Sequence, residues 1–147
     1  MRLTRYTDYA FRVLIHLALD DEGPCSIGQI ARSYSISHNH LIKVVGALAR
    51  HGAVETIRGR TGGIRLGRPA ETITVGEVVR WTEEGFTLAD CSGCLLSPAC
   101  GLTGMMAEGA AAMLEVFDSY TIADLLTDKV TLRRMIAGGS PLGVGCA

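Results

Sequence analysis

The sequence contains no apolar run of the roughly 18 to 20 residues that a membrane-spanning helix needs. Its best candidate, residues 13–19, is interrupted by His16 and preceded by Arg12. The same stretch does not fit a secretory signal peptide, because Asp8 and Arg12 occupy the place of the apolar region and no small-residue cleavage site follows. We therefore expect a cytoplasmic protein that makes no contact with a membrane.

The sequence also lacks the residue sets that mark common enzyme mechanisms. It has no paired catalytic carboxylates, no Ser/His/Asp set and no phosphate-binding loop. We therefore predict that the protein is not an enzyme, although an electron carrier or enzyme built around its cysteines stays open as an alternative. With 147 residues, 48% of them hydrophobic and 20% charged, the chain has the length and composition of one folded domain.

Acidic and basic side chains are unevenly distributed along the chain. Residues 1–68 carry ten basic and five acidic side chains, a net charge of +5, whereas residues 69–147 carry four basic and ten acidic ones, a net charge of −6. A basic half joined to an acidic half suggests a polyanion-binding part attached to a part that regulates or dimerises it. From residue 128 onward the apolar pattern fades and glycines accumulate, which predicts a flexible tail over residues 128–147.

The spacing of apolar residues predicts three helices and a hairpin in the basic part. The helices cover residues 4–19, 27–33 and 37–52, and two strands over residues 53–57 and 64–66 are joined by a turn rich in arginine and glycine. This order is typical of a winged helix-turn-helix domain, whose third helix enters the major groove of DNA.

Polar and basic residues cluster at the start of this third helix and at the tip of the wing. Asparagine can form two hydrogen bonds with adenine, whereas serine, histidine, lysine and arginine suit phosphates and base acceptors. A simpler explanation treats Ser37 as a helix cap and the arginines as a solvated turn, but the element order and the charge favour DNA binding. The predicted DNA-binding residues are Ser37, His38, Asn39, His40, Lys43, Arg58 and Arg60.

The acidic part contains fewer elements. In chain order we predict a short helix begun by the capping pair Thr74 and Glu77, a loop over residues 90–101, a long helix over residues 102–117 and a last short helix over residues 122–126. The long helix has one strongly apolar face, which predicts that it packs against another surface.

Three cysteines lie within ten residues of the predicted loop. The pattern Cys91-x2-Cys94-x5-Cys100 is compatible with a structural zinc site, an iron–sulfur cluster, a redox switch or three core thiols. No histidine or fourth cysteine lies nearby, which counts against a closed four-ligand zinc site. An iron–sulfur cluster here needs either a distant ligand that is not cysteine or an open iron.

Four motifs resemble those of a known family. They are Thr7-Asp8-Tyr9-Ala10, Ser37-x-Asn39-His40-Leu41-x-Lys43-Val44-Val45, Arg58-Gly59-x2-Gly62-Gly63-x2-Leu66 and Tyr120-Thr121-Ile122-Ala123-Asp124-Leu125. From residue 1 to about residue 127, the chain resembles the bacterial winged-helix transcriptional regulators that carry iron–sulfur clusters, the NsrR, IscR and RirA family. The residues around Cys100 and those from Phe117 to Thr121 are most similar to the nitric-oxide-sensing NsrR branch.

The resemblance implies a 4Fe–4S cluster held by Cys91, Cys94 and Cys100, with Asp8 of the partner subunit as the fourth ligand. The gap between the first two cysteines is shorter than in that branch. Thr103 stands where the IscR branch has a histidine ligand, which argues against a 2Fe–2S cluster. The resemblance also implies a homodimer joined by the long helix. The expected interface residues are Leu102, Met106, Met113 and Phe117.

The prediction is a mainly α protein with a winged helix-turn-helix DNA-binding region over residues 1–68. Residues 69–127 then form a cluster-binding loop and a long C-terminal dimerisation helix. We expect a homodimeric repressor of double-stranded operator DNA whose affinity is set by an iron–sulfur cluster that senses nitric oxide. Alternatives are a regulator of iron or iron–sulfur supply on the same scaffold and a thiol sensor without metal.

Overall fold

The structure is a computed structural model that describes residues 2–20, 23–59, 61–83, 85–86 and 88–138. In chain order its elements are α1 (Arg5–Leu19), α2 (Ile27–Ser33), α3 (His38–Arg50), β1 (Val54–Ile57), β2 (Gly63–Leu66), α4 (Val75–Thr82), α5 (Gly101–Asp118) and α6 (Lys129–Gly138). Short 3-10 turns lie at Ala70–Thr72 and Ser97–Ala99. The order of three helices and a two-stranded antiparallel wing confirms the predicted fold class.

Side-chain caps fix the starts of several helices. The Ser26 hydroxyl accepts a hydrogen bond from the Gln29 N–H while the Gln29 side chain accepts one from Ser26, and Thr74 forms the same reciprocal box with Glu77. Ser37 occupies the cap position of α3, but its hydroxyl makes no capping hydrogen bond. A capping hydrogen bond therefore does not account for the serine at position 37.

The core lies between α1, α2, α3 and α4, and the wing closes one side of it. Ile64 of β2 is 1% exposed and exchanges two backbone hydrogen bonds of 2.8 Å with Cys25. A Cβ atom at the neighbouring Gly63 would lie 2.6 Å from the Cys25 carbonyl oxygen, so only glycine fits this close approach. The largest fully buried side chains of the helices include Leu14, Ile30, Leu41, Leu48 and Val78.

Helix α4 is joined to both the wing and the end of α3. Arg68, which follows β2, donates two hydrogen bonds of 2.9 Å to the Glu77 carboxylate and lies 5.6 Å from the centre of the Trp81 ring. The Trp81 ring stacks on His51, with ring centres 4.7 Å apart. Although burial alone would raise the pKa of Glu77, hydrogen bonds from Thr74 and Arg68 lower it overall. The carboxylate therefore stays charged and holds the wing on α4.

Helix α4 is also joined to the end of α5. Arg80 donates two hydrogen bonds of 2.6 Å to the Asp118 carboxylate, which lowers the pKa of Asp118. Gly76 makes room for this pair, because a Cβ atom there would collide with the Asp118 carboxylate. Helix α4 therefore connects α5 with the winged-helix region.

The short helix predicted over residues 122–126 is wrong, since these residues form turns. Their backbone is hydrogen-bonded to the segment that leads into α4. The Ile122 N–H donates to the Ile73 carbonyl at 2.9 Å, and the Val75 N–H donates to the Tyr120 carbonyl at 2.8 Å. Within the segment, the N–H groups of Leu125 and Leu126 donate to the carbonyls three residues earlier, at 3.3 and 3.0 Å, which closes turns in place of α-helical hydrogen bonds.

The predicted flexible tail begins with a packed helix instead. Ile136 of α6 is 9% exposed and packs with Leu19 and Leu126, and the Arg133 guanidinium donates two hydrogen bonds to the Leu19 carbonyl. Residues 139–147, the rest of the predicted tail, lie outside the described residues. No helix in the described part of the chain has both the length and the apolar character to cross a membrane.

Candidate functional site

The N-terminal turn of α3 presents most of the predicted DNA-binding residues on one exposed face. Ser37, His38, Asn39, His40 and Lys43 are all exposed. The opposite face is buried in the core through Leu41, Val44, Val45, Ala47 and Leu48. A recognition helix needs this division, because one face must anchor it while the other enters the major groove.

Helix α1 supports this turn and adds residues that the sequence analysis missed. The Tyr9 ring stacks on His40 with ring centres 6.4 Å apart, and the Tyr6 hydroxyl donates to the Lys43 carbonyl oxygen at 3.0 Å. With Arg5, these side chains line a cavity of about 220 Å³ beside the start of α3. The spacing of residues along one helix does not show which residues of another helix they contact. The aromatic and basic character of Arg5, Tyr6 and Tyr9 was therefore the only sequence signal for their place beside α3.

The wing carries Arg58 at the end of β1, where its side chain is exposed. The next residue, Gly59, has a φ of 115°, and its carbonyl accepts a 3.0 Å hydrogen bond from the Gly62 N–H. The turn therefore requires glycine at position 59. Arg65 is paired with Glu55 across the strands at 2.5 Å. Arg60, the second predicted arginine of the wing tip, lies outside the described residues.

The three clustered cysteines lie in a tightly turned loop before α5. The Cys94 N–H donates to the Cys91 carbonyl at 3.2 Å, and the Ser97 N–H donates to the Cys94 carbonyl at 3.1 Å. All three thiols are free, with Cys94 exposed and Cys91 and Cys100 partly exposed. This exposure excludes the alternative of three buried core thiols.

The surroundings of the loop favour negative charge at one end. Cys100 is the N-cap residue of α5, an 18-residue helix, and the N-terminal end of a helix attracts anionic ligands. At the other end, Asp90 accepts hydrogen bonds from the Ser92 hydroxyl and N–H, which lower the pKa of Asp90. The Asp90 carboxylate thereby orders the turn that begins at Cys91.

The spread of the thiols bears on which metal group they fit. A single tetrahedral ion with metal–sulfur bonds of about 2.3 Å holds its sulfur ligands roughly 3.8 Å apart. Among the described residues, the sulfurs of Cys91, Cys94 and Cys100 do not form a group that lies within 4.8 Å. The three thiols therefore do not form a preformed site for a single tetrahedral ion.

Another set of potential ligands does converge, away from the predicted site. Ligand atoms of His16, Asp20 and Cys25 lie within 4.8 Å of one another. However, Cys25 is disulfide-bonded, so its sulfur is not a thiolate that could bind a metal ion. We therefore give this group no role as a metal site.

Asp8, the fourth ligand implied by the resemblance, is exposed near the start of α1. Its carboxylate forms an ion pair with Arg12, with contacts of 2.9 and 3.1 Å. An exposed pair of this spacing contributes only about 0.3 to 0.5 kcal/mol, which leaves the carboxylate available to a metal. Arg12 also lies 5.8 Å from the centre of the Tyr34 ring. Burial raises the pKa of Tyr34 to about 12, although Arg12 opposes this, so the ring stays neutral.

Helix α5 has an unusually exposed apolar surface. Only Ala110 of its residues is buried, whereas Leu102, Met105 and Val116 are 43%, 60% and 55% exposed. Of the four expected interface residues, Leu102 lies in this exposed stripe and the other three are half-buried. Phe117 contacts Phe86 edge to face at 6.4 Å. The exposed stripe therefore contains one predicted position, Leu102, together with Met105 and Val116.

Comparison with known proteins identifies relatives that are transcriptional regulators. Residues 3–128 match the profile of the Rrf2 family, described as iron-dependent transcriptional regulators. The chain is 49% identical to the HTH-type transcriptional regulator NsrR of Bacillus subtilis, over 92% of this chain and 97% of that one. It is 50% identical, with the same coverage, to the regulator of that name from Geobacillus kaustophilus. Its structure resembles that of T. potens IscR, with a TM-score of 0.73, 26% identity and 90% of each chain covered.

Proposed function

Because the chain belongs to the Rrf2 family of transcriptional regulators, we propose that it is a cytoplasmic, homodimeric repressor that binds double-stranded operator DNA and releases it in response to nitric oxide. The observation that carries the sensing part is the set of three free thiols in one loop at the N-terminal end of α5. The exposed face of α3 and the apolar stripe of α5 support the DNA-binding and dimeric parts.

The DNA contacts follow from the exposed polar side chains. Asn39 is suited to adenine in the major groove, and the histidines, Ser37 and Lys43 are suited to base acceptors and phosphates. Arg58, together with Arg60, is suited to the minor groove or the flanking phosphates. Tyr9 and Tyr6 hold His40 and Lys43 in place from the side of α1.

The sensing part assigns Cys91, Cys94 and Cys100 as ligands of a 4Fe–4S cluster, with Asp8 of the partner subunit as the fourth ligand. When bound, the cluster supplies iron that reacts with nitric oxide. A carboxylate is a harder and weaker ligand for this iron than a thiolate is, so Asp8 leaves one corner labile. The ligands would brace the cysteine loop against the partner's first helix and so fix the spacing of the two recognition helices. Loss of this brace lowers DNA affinity.

The direct test is anaerobic purification followed by an absorption spectrum and by iron and sulfide analysis. We expect about four iron and four sulfide per chain, as a 4Fe–4S cluster requires. The purified dimer is then used to select a binding sequence from random duplexes, and nitric oxide is added to the complex. We expect release of the DNA. Purified protein that contains no iron or sulfide, yet binds and releases DNA in the same way, would contradict the cluster assignment.

A regulator of iron or iron–sulfur supply is the second candidate. The structural likeness to T. potens IscR and the iron-dependence in the family description favour it. The two functions differ in the signal that releases the DNA. Micromolar nitric oxide at constant iron releases it in the first case, whereas an iron chelator in the absence of nitric oxide releases it in the second.

The two kinds of DNA contact predict different losses of affinity. Asn39→Ala should cost roughly 1 to 3 kcal/mol on the selected sequence and little on random DNA, because it removes a base contact. Arg58→Ala should weaken both by a similar factor and lower the slope of log K against log salt by about one, because it removes a phosphate contact. Fluorescence anisotropy over a salt series measures both effects.

The control for Arg58 is Arg134→Ala, which removes another exposed arginine, from α6. We expect this variant to keep the wild-type affinity and salt slope. Equal losses on selected and random DNA for Asn39→Ala would remove Asn39 from base recognition. An unchanged salt slope in Arg58→Ala would remove the wing from phosphate contact.

A further inference from the structure

A carboxylate at the end of α4 is hydrogen-bonded to the start of α1. Glu83, the C-cap residue of α4, accepts a hydrogen bond of 2.7 Å from the Thr4 N–H. The same carboxylate oxygen accepts a short hydrogen bond from the Thr7 hydroxyl. Thr7 is fully buried, and its hydroxyl also lies 3.1 Å from that of Thr4. These three residues form a small polar network, which we call the Glu83 network.

The Glu83 network places a carboxylate at the N-terminal end of α1. A carboxylate at the N-terminal end of a helix receives charge-assisted hydrogen bonds and interacts favourably with the helix dipole. Thr4 already caps α1 through its own hydroxyl, which accepts from the Thr7 N–H at 3.3 Å. Glu83 therefore adds a second anchor, from a residue 79 positions further along the chain.

The two ends of the Glu83 network lead to the two functional parts of the protein. After Glu83 the chain runs directly into the segment that carries Cys91. On the other side, the first two turns of α1 contact the start of α3 through the Tyr6 hydroxyl and the Tyr9 ring. Hydrogen bonds and a ring contact, carried by α1, therefore connect Glu83 with His40 and Lys43. The polypeptide itself connects Glu83 with Cys91, eight residues further along.

We propose that Glu83 is a positioning residue that transmits the state of the cysteine loop to the recognition helix through the first turns of α1. Helix α1 moves as a rigid element, so a shift at Thr4 and Thr7 also moves the tyrosines that hold α3. This inference rests on the proposed function, because it assumes that the state of the cysteine loop alters DNA affinity. It adds a path within one subunit to the contact between subunits described above.

The test compares DNA affinity with and without the cluster in wild type, Glu83→Ala, Glu83→Gln and Thr7→Val. Glutamine keeps a carbonyl oxygen that can accept both hydrogen bonds, whereas alanine removes the acceptor. Valine keeps the shape of Thr7 but removes the hydroxyl donor. Each protein is purified anaerobically, its absorption spectrum and iron content are recorded, and binding to the selected duplex is measured before and after the cluster is removed.

The measured quantity is the ratio of the two affinities, which is about 5- to 150-fold for typical coupled sites. We expect Glu83→Gln to keep most of the wild-type ratio. We expect the ratio to fall towards one in Glu83→Ala and to a lesser extent in Thr7→Val, while the spectrum and iron content stay unchanged. A purely structural role would lower the melting temperature and both affinities together, and would leave the ratio unchanged.

The outcomes separate this inference from the proposed function. If the wild type shows no cluster, or a ratio of one, the proposed function fails and the inference falls with it. If the wild type shows a ratio well above one and Glu83→Ala keeps that ratio, only the inference is overturned. A ratio in Glu83→Gln as low as that in Glu83→Ala would also overturn it, because glutamine preserves the hydrogen-bond acceptor.

Discussion

Replacing Cys91, Cys94 and Cys100 together by serine should abolish the cluster absorption and the response of DNA binding to nitric oxide. A serine hydroxyl is a far poorer ligand for iron than a thiolate, and the loop offers no other sulfur. The three side chains are exposed or partly exposed, so the substitution leaves the core unchanged and the fold should persist. Anaerobic absorption spectra, iron analysis and binding to the selected duplex measure the effect.

Ser97→Ala provides the matched control in the same loop, because it alters a side chain between the second and third cysteines without removing a thiol. We expect it to behave as wild type. Asp8→Ala should retain a cluster, but one that is less stable or reacts faster with nitric oxide. If the triple-serine protein still binds its operator and still releases it with nitric oxide, the chain is a winged-helix DNA-binding protein without a cluster sensor.

The double substitution Met105→Asp and Val116→Asp should dissociate the dimer. Both side chains belong to the exposed apolar stripe of α5, at 60% and 55% exposure, so neither change disturbs the core of the subunit. In the dimer, burying two unpaired carboxylates should cost on the order of 4 kcal/mol or more, which raises the dissociation constant about a thousandfold. Sedimentation velocity at micromolar concentration distinguishes the two states.

The chain offers a control with the same residue types on a different helix. Val130 and Met135 of α6 are 58% and 68% exposed, and Val130→Asp with Met135→Asp should leave the dimer intact. Dissociation by the α6 pair and not by the α5 pair would show that the dimer contact lies on α6 rather than on α5. A dimer that survives both substitutions would show that neither surface holds the subunits together.

Local sequence signals predicted the elements from α1 to α4 well, because these elements are determined by nearby residues. Ser26 with Gln29 and Thr74 with Glu77 define helix starts through hydrogen bonds three residues apart, and both boxes are present in the structure. The buried stripe of α3 follows from apolar residues at helical spacing. The wing follows from two short strands with glycines in the turn.

The errors near the C-terminus arise from contacts that no local signal contains. Residues 122–126 have a capping pattern at Thr121, but the Ile122 N–H is bonded to Ile73, far away in sequence. Helix α6 mixes apolar with basic residues, and its burial depends on Leu19 and Leu126. The sequence does contain a local signal for the start of α6, which is an aspartate directly before the helix. In the structure the Asp128 carboxylate accepts a 2.9 Å hydrogen bond from the Thr131 N–H.

The residues of the candidate site also fall into two groups, those that local sequence signals indicate and those that depend on contacts between distant residues. The cysteines were evident from their spacing and the α3 residues from their polarity at a helix start. The supporting residues Tyr6, Tyr9 and Glu83 act through contacts between different helices, which the sequence does not reveal. The interface residues on α5 stay a prediction: Leu102 lies in the exposed stripe, whereas Phe117 is half-buried and contacts Phe86, a residue from outside the helix.

The stack of Arg68, Trp81 and His51 makes the protein its own optical reporter. Trp81 is the single tryptophan of the chain, and its ring touches the end of α3 on one side and the residue after the wing on the other. The emission of an indole ring depends on the groups in contact with it. A shift of the wing relative to α3 when DNA binds is therefore visible as a change in intrinsic fluorescence, without any attached dye.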